Sequence, residues 1–182
     1  MVDLSALPAM LARADWPAAE ALLRRAAVDS APAAVFYNLA KVLEMQGKPD
    51  RAAWLDRAVA RDPHHAAAWF ELGRARIETP AAALTAFHRA ADLAPDDRDA
   101  WRMVLRLALR LCDWPRLAAA LAHLPTDAET RVAAYRLLAE TGRATAADRA
   151  ALLSDPAMRP EAIKALTRVA RGTIPLRLPP VS

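Results

Sequence analysis

Apolar and polar residues along this chain recur at helical spacing, and proline breaks the pattern at regular intervals. Leu4, Leu7 and Leu11 share one face of a first short helix between about Asp3 and Arg13. In the next, Leu22, Leu23 and Ala26 face inward while Arg24 and Arg25 face water; Asp15 is placed to cap it, with Pro17 in its first turn. Helices are then expected at about 33–46, 49–61, 66–78, 80–93, 97–111 and 114–124. Thr126 to Glu129 has the form of a capping box opening a helix to about Thr141, with Val132, Tyr135, Leu138 and Ala139 on its apolar face. Gly142 closes that helix as Gly47 closes an earlier one, and Thr145 opens a partner through Leu153. A last helix, from about Pro160 to Arg171, sets Ile163, Leu166 and Ala170 opposite Glu161, Lys164, Arg168 and Arg171. Val and Ile are few and form no alternating run, so the fold class is all-α.

The pattern repeats. Pro32, Pro63, Pro95, Pro125 and Pro156 stand 30–32 residues apart, and Pro17, Pro49, Pro80 and Pro115 fall between them. Proline is tolerated in a first helical turn and ends helices elsewhere, so the two series mark alternating helices and breaks. Phe36, Trp69 and Trp101 are spaced by 33 and 32 residues. Three residues after them come Leu39, Leu72 and Val104, then Ala40, Gly73 and Leu105. The second helices carry a small–large–small series, Ala19, Leu23, Ala26 and again Ala83, Phe87, Ala90. A period of about 31–34 residues is that of stacked helical hairpins.

On these residues the chain resembles the tetratricopeptide-repeat family, most closely from Ala33 to Pro63 and from Ala66 to Pro95. The resemblance implies an α-solenoid of about five hairpins with a C-terminal capping helix over residues 1–171. An extended, proline-containing tail follows over 172–182. It makes Trp69 the central anchor of the core and Gly73 a point of close helix approach. Trp54 is expected to pack against a neighbouring repeat rather than stand exposed. Three features depart from the family: a turn after Leu72 that is about two residues short, Ala52 one place off a small position, and Leu105 where a small residue is usual. The last should push the helices of the fourth hairpin apart.

The 182 residues carry a net charge of +4. Arg159, Lys164, Arg168, Arg171 and Arg177 against Glu161 hold the whole excess near the C-terminus. A solubilising basic end is the plainer reading, and nucleic acid is the other partner such an end could take. The single cysteine, Cys112, excludes an internal disulfide; it lies on an apolar run and is expected to pack as a small hydrophobe. The cytosol is the natural compartment for such a chain. The start lacks a basic region followed by a long apolar core, and no uncharged run reaches the ~20 residues that cross a bilayer.

Candidate chemistry is sparse. His64 and His65 are adjacent, which does not point two ligands at one site, and they read as exposed loop residues. Near His88 and His123 the sequence offers no set of ligand-type residues at metal-binding spacing. Asp96, Asp97 and Asp99 gather at a helix start, a capping role. No catalytic residue, metal or cofactor is implied.

The family resemblance instead implies a groove lined by the first helix of each hairpin. Its outward positions would be Tyr37, Asn38 and Lys41; Phe70, Glu71 and Arg74; and Arg102, Arg106 and Arg110. Aromatic and guanidinium groups together suit an acidic or C-terminal peptide. Arginine outnumbers lysine throughout, so a solvated face explains the same residues equally well. The family's carboxylate clamp wants Lys and Asn where Tyr37 and Lys41 stand. Its asparagine ladder would need Asn at Asn38, Glu71 and Met103. Neither pattern is complete.

The implied function is a protein–protein interaction module, an adaptor or scaffold and not an enzyme. The alternatives are a recognition module for a glycosyltransferase or sulfotransferase, and nucleic-acid binding through the basic end. The tail adds one expectation of its own, that alternating Ile174, Leu176 and Leu178 dock it on its own solenoid or on a partner.

Overall fold

The computed structural model describes residues 2–169. Among them are eleven α-helices: α1 (Leu7–Ala12), α2 (Trp16–Ala26), α3 (Ala33–Met45), α4 (Arg51–Arg61), α5 (Ala66–Ala75), α6 (Pro80–Leu93), α7 (Arg98–Leu111), α8 (Trp114–His123), α9 (Ala128–Glu140), α10 (Ala146–Leu153) and α11 (Arg159–Val169). A 3-10 turn, Pro156–Met158, precedes the last. The class is all-α. The expected tail, with Ile174, Leu176 and Leu178, and the helix end at Arg171 lie outside the described residues. The chain divides into two compact units, Met1–Leu107 and Ala108–Ser182, with the boundary inside α7.

In the first unit helices pack as successive pairs, α1 with α2, α3 with α4 and α5 with α6, and α2 and α4 lie against the pairs that follow. Helix caps set the register. Pro32, His65 and the Asp97 carboxylate stand at the starts of α3, α5 and α7, and Phe36, Trp69 and Trp101 each follow four residues later. The indole N–H groups of Trp69 and Trp101 donate to the carbonyls of Pro63 and Pro95, both at 3.0 Å. One contact thus recurs 32 residues apart. Burial is less even: Phe36 and Trp101 are 2% and 3% exposed, but Trp69 is only half-buried. Trp69 is therefore not the central anchor that its position implied. Leu23, Leu39, Leu43, Leu55 and Leu72 fill the core around Phe36, each contributing roughly 1.5–3 kcal/mol by burial. Trp54 packs mainly within its own repeat, and the preceding repeat adds Arg24, whose guanidinium lies 5.9 Å from its ring centre. It stacks on Phe36 at 6.2 Å, and the Arg57 guanidinium lies 4.5 Å and 5.0 Å from the two ring centres.

Glu20 is the buried acid of this unit, 7% exposed. Its carboxylate accepts from Lys48 at 2.5 Å, Gln46 at 2.8 Å and Arg24 at 2.9 Å. The Lys48 hydrogen bond, with those of Arg24 and Gln46, overcomes the cost of burial and lowers its pKa from 4.5 to about 2.

Four first helices end alike, in a left-handed residue: Ala14 after α1, Gly47 after α3, Cys112 after α7 and Gly142 after α9. At each, the next N–H bonds back five residues: Asp15 to Met10, Lys48 to Leu43, Asp113 to Ala108 and Arg143 to Leu138. Cys112 is consequently exposed and does not pack as a hydrophobe; helix termination decides its place, not the apolar run before it. The third pair closes differently. α5 stops at Ala75, three residues before the expected end, because Pro80 in the first turn of α6 requires an extended Thr79 (φ −116°, ψ 82°). Arg76, Ile77 and Thr79 bond back three residues to make the short turn.

In the second unit, α9 begins one residue later than its capping box implied. Asp127 is the cap and exchanges hydrogen bonds with Thr130, since the Asp127 carboxylate reaches the third helical N–H. Tyr135, Leu152, Met158 and Ala162 form the core, with Val132, Ala139, Ala144, Leu153 and Leu166 against it. On α11 the buried residue is Ala162, with Ile163 and Leu166 both half-buried and Leu166 packed against the core.

Candidate functional site

Three cations and two carboxylates knit α3, α4 and α5 together. Lys41 on α3 donates to Glu44 at 2.6 Å and to Glu71 on α5 at 2.8 Å. Arg74, one turn beyond Glu71, reaches Glu71 at 2.8 Å and Glu44 at 3.0 Å. Arg51, the first residue of α4, completes the set at 2.5 Å from Glu44. Burial works against the charge on Lys41, and its bonds to Glu44 and Glu71 outweigh that, so its pKa rises. Burial likewise opposes the Glu44 carboxylate, and Lys41, Arg74 and Arg51 outweigh it, so its pKa falls. Both shifts favour the charged forms of Lys41 and Glu44.

Beside this cluster opens a groove of about 590 Å³. Phe70, Ile77 and Met103 give it an apolar surface, and Arg51, Arg74, Arg102 and Arg106 surround them with Asp99 as the single carboxylate of the lining. Ile77 is 38% exposed there. α5 supplies Phe70 and Arg74 at i, i+4. α7 supplies Arg102, Met103 and Arg106 at i, i+1, i+4.

Four of the nine expected groove residues, Phe70, Arg74, Arg102 and Arg106, therefore line one surface. Lys41 and Glu71 are not in that lining; they pair with each other, and Lys41 also with Glu44. Tyr37 and Asn38 do not line it: Asn38 is half-buried on α3, and the Tyr37 ring lies 4.9 Å from the ring of His65. That His65 is half-buried and caps α5, its Nδ1 accepting from the Ala68 N–H at 3.2 Å, so of the two adjacent histidines only His64 is an exposed loop residue. Arg110 sits in the last turn of α7, within the second unit. Arg51, Ile77, Asp99 and Met103 were not expected in the groove. Ile77 carried a signal, a lone large apolar residue at the end of a charged helix, but the expected helix to residue 78 concealed the turn that exposes it.

Other chemistry is placed singly. The His88 Nδ1 is 3.3 Å from Asp92, and its ring meets Trp101 edge-on at 5.9 Å. Among the described residues, no group of three or more His, Cys, Asp or Glu is arranged to hold a metal ion, and no helix is long and apolar enough to cross a membrane.

The family model described as tetratricopeptide repeat matches residues 32–75, which span α3, α4 and α5. The chain carries a tetratricopeptide repeat. Solved structures extend the likeness of fold beyond that repeat. A structure of MamA is 18% identical, covers 92% of this chain and 94% of its own, and superposes with a TM-score of 0.60. A tetratricopeptide repeat protein from Parabacteroides merdae is 14% identical, with 91% and 74% covered and a TM-score of 0.62. YrrB, described as a tetratricopeptide-repeat protein with an unusual peptide-binding site, is 20% identical over 75% of each chain, with a TM-score of 0.56. At these identities the likeness is one of fold. No curated protein matches the sequence significantly. Tetratricopeptide-repeat proteins are in general protein–protein interaction modules.

Proposed function

We propose that this protein is an adaptor whose first unit binds an acidic, partly apolar peptide in the groove of Phe70, Ile77 and Met103. The observation that carries the reading is the composition of that groove: an apolar strip flanked by four guanidinium groups and one carboxylate. Guanidinium forks pair with carboxylates in two parallel hydrogen bonds, and the exposed strip gains by burial under apolar side chains. The internal cluster of Lys41, Glu44, Glu71, Arg51 and Arg74 fixes two of those arginines before any peptide arrives, which lowers the ordering cost of binding. A peptide-binding site is also what the YrrB description names for that protein of like fold.

The test is fluorescence anisotropy with a labelled peptide of alternating Glu and Leu and a control with Lys in place of Glu. The acidic peptide should bind, more weakly as salt rises, and the basic one should not. Equal binding of the two, or none of either, overturns the reading.

A further inference from the structure

The second unit contains a cavity of its own, about 560 Å³, between α9 and α11. Ala128, Val132 and Arg136 recur at four-residue spacing and present one face of α9 to it, and Leu109 adds a further apolar wall. Arg136 is 9% exposed, and its Nε has no hydrogen-bond partner. A buried guanidinium with an unmet N–H is costly, and removing that cost requires an acceptor. The carboxylates at the cavity do not supply one to this atom. Glu161 is paired with Lys164 at 2.8 Å, both side chains being more than half exposed. Glu129 lies in the first turn of α9, seven residues from Arg136 along the helix.

We propose that this cavity is a binding site for a carboxylate carried on an aliphatic chain. The carboxylate accepts from the Arg136 guanidinium, and the chain lies against Leu109, Ala128 and Val132. A single negative charge suits the site better than a phosphate dianion, because Glu129 and Glu161 also face the cavity and repel a second charge. The volume is within the ordinary range of small-ligand sites, about 300–1,000 Å³. Both a free aliphatic acid and the end of a peptide chain offer this chemistry. The site belongs to the other unit and does not depend on the peptide groove.

The test uses the full chain, titrated with hexanoate, N-acetyl-leucine and hexanamide, read by the Arg136 Nε–H resonance and by calorimetry. Both acids should move that resonance and the Val132 methyl signals, and the amide should bind about tenfold more weakly or worse. Tighter binding of N-acetyl-leucine than of hexanoate points to a chain end, and the reverse to a free acid. Arg136→Lys keeps the charge but loses the planar fork, and should weaken the acids about tenfold while the fold is retained. Arg136→Gln should remove the preference for acid over amide. If it does not fold, the lysine variant and the wild-type resonance still decide. An Nε–H signal unmoved by either acid, or equal affinity for hexanoate and hexanamide, overturns the proposal.

Discussion

A Cβ added to Gly73 would lie 2.8 Å from the ring of Phe87. Phe87 is fully buried on α6 and meets Phe70 edge-on at 5.2 Å, so its ring has little room to retreat. Gly73 thus lies hard against the Phe87 ring of α6, and the small residue of the repeat pattern is required by a particular neighbour.

Gly73→Ala should therefore destabilise the fold even though alanine is the better helix former. Overpacking costs about 1–3 kcal/mol, and the propensity gain returns at most about 1 kcal/mol. Urea denaturation checks the sign. A variant more stable than wild type would mean that Phe87 can move.

Trp101 and Trp69 make the same indole–carbonyl bond but differ in burial. Trp101→Ala should cost about 3–5 kcal/mol and Trp69→Ala clearly less, by the same unfolding measurement. Equal losses would show that the shared bond, and not burial, sets the cost.

Cys112 occupies a left-handed position (φ 58°) that glycine fills after α3 and α9. Cys112→Gly should raise stability by up to about 1 kcal/mol, because glycine adopts that conformation without a steric penalty. Differential scanning calorimetry would register the increase. The cysteine makes no packing contribution that the change would forfeit, since it is exposed.

Glu20 gives the fold an acid limb. Its pKa is held below the ordinary 4.5, at about 2, so its stabilisation is complete above pH 4.5 and is lost as pH falls toward 2. That stabilisation is on the order of 3 kcal/mol at neutral pH. Lys48→Met removes the first of its partners. It should lower stability at pH 7 and flatten the decline between pH 4.5 and 2. An unchanged acid limb in the variant would assign the loss to other carboxylates.

What could be read from the sequence was what depends on one helix and its ends. Phe36, Trp69 and Trp101 could be aligned because a cap four residues ahead fixes each of them, and caps are local. Gly47 and Gly142 could be placed because glycine marks a left-handed stop; Cys112 fills the same role without that mark, so its apolar neighbours misled. The partners of side chains between helices could not be read. Glu20 meets Gln46 and Lys48 from 26 and 28 residues away, and Lys41 meets Glu71 from 30. Those pairings depend on how helices cross, which the period of the repeat does not specify. The same limit concealed Arg51 from the groove and the unpartnered Nε of Arg136.

Nitrogen–proton NMR mapping of the acidic peptide on the wild-type chain and on Arg106→Glu tests the groove most directly. Arg106 suits this better than Arg74, whose reversal would set a third carboxylate between Glu44 and Glu71. Shifts should concentrate at residues 70–77 and 99–106, and the substitution should weaken binding about fivefold at moderate salt. Shifts confined to the Trp54 and Arg57 face, or an unchanged affinity in Arg106→Glu, would contradict binding in the groove.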